Sequence, residues 1–286
     1  MKKTTQTPYK KPKFGFVKFS FFFTIFIIIS SWVFVIRGEG ANLIEIFSEK
    51  NFYHTQKFLS GLVGVNEETP AFLDSTSWKN ALMLTFETLQ MSIMAIGFST
   101  IVMIITVIPA AGNVANGSLT LTKRWYSKII YSLIRISYVF SRAVPELIWA
   151  MIIIFIFKPG VLPGAIALAL HNFGILGKLC AEVIEDIDAR PIRSLASSGA
   201  SKSQMFIYGV LPTVMPKFIT YILYRWEVII RTTIVVGFVG AGGLGHEFKL
   251  SMSWFHYSEI TLFLICYVFL VGLVDLISEG IRRFIQ

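Results

Sequence analysis

Apolar residues in this chain come in long unbroken runs, not in the alternating or one-faced patterns of soluble strands and helices. The first run, residues 17–37, is about 20 residues long, enough to cross roughly 30 Å of hydrocarbon. Further runs cover residues 81–111, 144–157, 165–183, 214–237 and 260–281. Each is read as a transmembrane helix, because a segment in lipid must satisfy its own backbone hydrogen bonds. The run 144–157 is short and becomes a full span only if the amphipathic stretch before it, 125–141, partly inserts. Breakers separate the runs: Pro109 and Gly112 after the second, then Pro159, Gly160, Pro163 and Gly164 between the third and fourth. The expected fold class is all-α, a polytopic membrane protein with about six transmembrane helices.

Composition agrees, with 54% hydrophobic and 15% charged residues, against about a quarter charged in soluble domains. The net charge of +9 would favour nucleic acid in a soluble protein. In a membrane chain it falls on inner loops instead, so no nucleic-acid partner is expected. Lys2, Lys3, Lys10, Lys11 and Lys13 precede the first run, Lys123, Arg124 and Lys128 follow the second, Arg190, Arg193 and Lys202 follow the fourth, and Arg282 and Arg283 end the chain. Segments assigned inside carry about twice the Lys and Arg of those outside, which predicts both termini in the cytoplasm. The first run is too long for a signal-peptide core, and Arg37-Gly38-Glu39 offers no cleavage site, so it is read as a retained helix. The organisation expected is a basic cytoplasmic tail (1–16), an N-terminal span (17–37), an extracytoplasmic segment (38–80) and a main transmembrane domain (81–286) in the bacterial inner membrane. Cys180 and Cys266 lie in apolar stretches and read as small buried hydrophobes. His54, His171, His246 and His256 show no metal-ligand spacing, so no metal site is expected.

The polar stretch 184–212 carries the most local information. Pro191 suits the first turn of a helix and pushes Arg190 out of the helical region; Gly199 suits a left-handed stop. Ser201, with Gln204 three residues on, forms a capping-box pattern for a second helix over 202–210. The run Ser194-Leu195-Ala196-Ser197-Ser198-Gly199-Ala200-Ser201, continuing through Tyr208-Gly209-Val210-Leu211-Pro212, resembles the "EAA" loop of ABC importer permeases. That resemblance implies a coupling helix docked on an ATPase subunit, with Pro191, Arg193, Ser194, Leu195, Gly199, Ala200, Ser201, Leu211 and Pro212 forming the loop. Arg193 stands where most members carry the motif's Glu, so that particular contact does not carry over.

Residues 143–150, 169–178 and 224–245 resemble phosphonate-type permeases, and the likeness spans about residues 80–280. It implies a type I importer core of five helices, related to the methionine-importer permease, plus one N-terminal helix. It further implies two ATPase subunits that hold Mg-ATP, an extracytoplasmic substrate-binding protein, a second permease copy and surrounding lipid. The chain itself is expected to bind no cofactor and to catalyse no reaction. Phosphonate, phosphite or a related oxyanion is the implied cargo; the alternatives are another solute such as methionine, a membrane-embedded enzyme or a channel.

Arg225, Glu227 and Arg231 sit within the fifth run. A charge at a helix centre costs about 2.5–3.5 kcal/mol on the insertion scale, so each should pair or face a cavity. Glu227 and Arg231, four apart, can form an ion pair; alternatively Arg225 or Arg231 attracts an anionic cargo along the path, as a guanidinium matches phosphonate oxygens. Glu146 and His171 are further path residues. Gly240, Gly242, Gly243 and Gly245 satisfy G-x-G-x-x-G but follow a membrane run rather than a strand. They are read as close packing at the outer mouth, not a dinucleotide site. Gly177-Lys178 fails as a P-loop because Asn172 and Leu179 occupy key positions.

Overall fold

The computed structural model describes residues 15–38, 47–65, 67–119 and 125–285. Lys2, Lys3, Lys10, Lys11, Lys13, Lys123 and Arg124 lie outside the described residues, so the charge argument built on them is not addressed by the fold. The described residues form helices joined by turns, in two compact units, 1–59 and 60–286.

In the first unit, α1 (Phe16–Gly38) has 23 residues and no buried side chain. At 1.5 Å per residue it is about 34 Å long, and its exposed, predominantly apolar surface, with Lys18 and Arg37 near its two ends, suits lipid. Helix α2 (Glu49–Leu62) starts in this unit. The sequence predicted no element there, because its mixed polar and aromatic residues give no long apolar run.

In the second unit, after the end of α2 and a 3-10 turn at Ala71–Leu73, α3 (Ser75–Val107) starts six residues before the hydrophobic run. The reason is a cap: the Asp74 carboxylate accepts from the Ser77 N–H and hydroxyl, both at 2.8 Å. Those bonds, the Ser77 hydroxyl first, hold the Asp74 carboxyl below its ordinary range. After a short turn, α4 (Gly112–Ala115), come α5 (Ser127–Ala143) and α6 (Glu146–Phe157). These two helices meet at 93°. Pro145 forces the bend by keeping Val144 extended, at φ −84° and ψ 120°. The short third run is therefore a broken element, with its amphipathic half at a right angle to its apolar half.

Helix α7 (Val161–Glu185) is the central element, with small residues along its buried face. A side chain at Gly177 would overlap the Tyr138 ring, and one at Gly174 would meet the Ser141 Cβ at 2.9 Å. These two glycines let α5 lie directly on α7. Next come α8 (Ala189–Ser197), α9 (Lys202–Gln204), a π-helical turn at Met205–Val210, and α10 (Leu211–Val236). A second π-helical turn, Gly237–Ala241, leads to α11 (Gly243–Trp254) and α12 (Tyr257–Ile285). The stretch 243–254 was expected as part of a loop. Its first turn fixes it as a helix, because the Thr88 hydroxyl accepts from Leu244 N at 2.9 Å.

Among the described residues, five helices are long and apolar enough to cross a membrane: α1, α3, α7, α10 and α12, or six spans if bent α5–α6 counts as one. One core gathers Met91, Met103, Leu168, Leu176, Cys180 and Ile229; a second gathers Ile230, Leu244, Leu262 and Leu270. Both cysteines are free and buried.

Candidate functional site

Two features carry the sequence-predicted residues. One is the α8–α9 segment, the other a set of charged groups on α6, α7 and α10.

Asp188 caps α8, accepting from Arg190 N at 3.0 Å, and the Arg190 guanidinium lies 2.8 Å away. The guanidinium, then the N–H, hold the Asp188 carboxyl below its ordinary range. The helix includes Ala189 and Arg190, so Arg190 is not pushed out of the helical region as Pro191 alone suggested. Pro191 sits third in the first turn, where N–H groups lack partners anyway, and the Asp188 cap outweighs the local preference. Gly199 ends α8 at φ +83°. Ala200 N donates to Leu195 O at 3.1 Å and Gly199 N to Ala196 O at 3.0 Å, the paired bonds of a Schellman stop. The expected box is present: Ser201 N donates to Gln204 Oε1 at 2.7 Å and Gln204 N to Ser201 Oγ at 3.4 Å.

The second helix expected over 202–210 is α-helical only to Gln204, then widens into the π turn that runs on through Leu211 and Pro212 into α10. Gly209 there lies against Ile192 and Leu195, each 3.2 Å from where its Cβ would be. Ile192 is buried, while Pro191, Arg193, Ser194, Ser201 and Lys202 are exposed. Arg193 donates to Ser118 O at 3.3 Å, on the segment after α4.

A latch unseen in the sequence ties the end of α7 to α5 and to the turn before α4. Glu185, last in α7, accepts from Gly112 N and from Arg135 Nη2, both at 2.6 Å. Arg135 Nε also donates to Ala110 O at 2.8 Å. Its members come from three distant parts of the chain, so local spacing gave no signal.

Of the charges on α10, Glu227 and Arg231 do not pair with each other. Arg231 Nη2 meets both Asp275 oxygens at 2.9 and 2.8 Å, and Glu227 Oε1 lies 2.8 Å from Arg282 Nη2. The second contact is a close approach of charges without hydrogen-bond alignment. Helix α12 packs on this side of α10 and supplies an opposite charge to each position, displacing the one-turn pair. Arg225 is placed differently. Its Nε donates to Asn172 Oδ1 at 2.9 Å, and its Nη2 donates to the same oxygen. Beside it, His171 Nε2 lies 3.4 Å from Glu146 Oε2, and His171 Nδ1 is 2.9 Å from Val144 O. So Arg225 is tied to α7 through Asn172, and His171 pairs with Glu146 of α6, whereas Glu227 and Arg231 belong to the α10–α12 seam.

The glycine turn follows α10. Gly240, Gly242 and Gly243 have φ of 105°, 85° and 65°, a geometry that only glycine adopts freely. A Cβ at Gly243 would stand 2.6 Å from Thr88 Oγ1, and one at Gly245 would collide with Ile234 O. The turn joins helix to helix, with no strand among the described residues.

Residues 113–286 match the family described as "binding-protein-dependent transport system inner membrane component". The chain belongs to this family. The permease is 34% identical over 214 residues to the phosphite transport system permease protein of Stutzerimonas stutzeri, covering 75% of this chain and 73% of that one. It is 31% identical over 202 residues to the phosphate-import permease protein of Mycolicibacterium smegmatis, covering 70% of this chain and 36% of that longer one. Its fold is similar to a permease chain from inward-facing crystal forms of the MetNI methionine ABC transporter, at TM-score 0.64 and 17% identity, over 74% of this chain and 99% of that one. The permease is thus a membrane component of a bacterial ABC importer, not an enzyme, and membership implies an ATPase and a substrate-binding protein as partners.

Proposed function

We propose that the permease moves a phosphorus oxyanion, phosphite or a phosphonate, across the inner membrane along a path that passes Arg225. The observation that carries this is the Arg225 guanidinium, held inside a membrane helix by an amide oxygen, with no carboxylate oxygen within 4.0 Å among the described residues. Such a charge is costly in lipid and suits a water-filled path used by an anion. Relatives named for phosphite and phosphate transport support the same cargo class. In this reading α8–α9 is the cytoplasmic handle, gripped by ATPase subunits that hold Mg-ATP. Two copies of the permease line the path, and a binding protein delivers cargo near the glycine turn at Gly240–Gly245.

Uptake of labelled phosphite by the complete importer in proteoliposomes tests this. Arg225→Gln should lower uptake roughly ten-fold or more per assembled complex, as expected for loss of a desolvated ionic contact. Wild-type uptake in that variant, or a partner binding protein that takes methionine and ignores phosphorus oxyanions, overturns the cargo reading.

A further inference from the structure

We infer that Asn172 is a charge-setting residue of the cargo path: its neutral amide positions Arg225 while leaving the guanidinium's charge available to an oxyanion. This rests on the anionic-cargo reading above.

Asn172 is 2% exposed, in the middle of α7. Its amide is committed at both ends. Nδ2 donates to Leu168 O at 2.8 Å, which turns Oδ1 toward α10, where it takes both Nε and Nη2 of Arg225. The guanidinium is therefore fixed along one edge, and no other acceptor takes a hydrogen bond from it among the described residues. The other arginine on α10, Arg231, shows the contrasting solution: Asp275 grips it with both oxygens and neutralises it. A carboxylate is a stronger partner for a buried guanidinium than an amide. Using the amide gives up that strength and keeps a net positive charge beside the path. The acid that acts electrostatically on Arg225, Glu146, is turned toward His171 at 3.4 Å. The open edge of Arg225 can then offer paired N–H groups to two oxygens of a tetrahedral oxyanion.

The test uses the complete importer in proteoliposomes, with labelled phosphite as probe and uptake normalised to assembled complex. Asn172→Asp keeps the shape and converts the contact into an ion pair. Asn172→Ser keeps a neutral acceptor. Uptake should fall about ten-fold with Asp and within about three-fold with Ser, and Asn172→Asp combined with Glu146→Gln should recover most of the loss by restoring the local charge. A purely structural role predicts no such recovery. Wild-type uptake with Asp, or equal losses with Asp and Ser without recovery, overturns the inference. If the Asp variant does not assemble, Glu146→Gln alone decides: a rise in uptake at sub-saturating cargo supports it, and no rise overturns it. Arg225→Gln runs in parallel. A loss there with no effect of Asn172→Asp leaves the cargo reading standing and removes only the role of Asn172.

Discussion

Gly177 and Tyr138 show what a single position decides here. Tyr138 is 1% exposed and its ring occupies the space a Gly177 side chain would need. Its hydroxyl lies 2.8 Å from Thr106 Oγ1, so the same ring bridges α5, α7 and α3. Gly177→Val would force these helices apart, and overpacking of this kind costs about 1–3 kcal/mol or more. We predict a lower yield of folded permease and a lower unfolding temperature in detergent, with the loss larger for Val than for Ala; equal stability of wild type and Val would show that α5 can yield. The charged residues teach a related lesson. Hydropathy correctly marked Arg225, Glu227 and Arg231 as needing partners. It could not say which, because Asn172, Asp275 and Arg282 are 53, 44 and 55 positions away in sequence.

Helix α8 is specified almost entirely by its own sequence. Asp188 starts it, Gly199 stops it, and Ser201 with Gln204 starts the next turn. At Gly199 nothing lies within 4 Å of a Cβ position, so the demand is conformational and not steric. Left-handed backbone costs an ordinary residue about 1–2 kcal/mol, and more for a β-branched one. Gly199→Val is therefore expected to loosen the α8 stop without disturbing the core. Uptake should drop several-fold and ATP hydrolysis should become less dependent on cargo, while the unfolding temperature of the permease changes little. Unchanged uptake and coupling in reconstituted importer would argue that this segment is not the handle. Elements with weak local signals behaved differently. Helix α11 carries glycines at its start and reads as a loop, yet it forms because Thr88 caps it and Gly245 lets it lie against α10. The π turn at Met205–Val210 likewise reflects the approach of Ile192 and Leu195 to Gly209.

At the scale of the molecule, residues 60–286 form their own compact unit. A permease lacking residues 1–46, and so lacking α1, should fold in detergent with an unfolding temperature within about 3 °C of the full chain, a shift corresponding to roughly 1 kcal/mol. Loss of folded protein would show that α1 is needed by the rest. The number of apolar spans, the all-helical class, the Gly199 stop of α8 and the Ser201–Gln204 cap of α9 follow from the sequence by itself. Each depends on residues close along the chain: run length against bilayer thickness, and cap residues against the first turn. The 93° bend has its cause in Pro145, although its angle was not legible. Tertiary structure alone decided the charge partners, the Glu185–Arg135 latch and the helix after the glycine turn. Burial makes an unpaired charge or N–H costly, and the group that satisfies it is chosen by which helices pack together, not by distance in sequence.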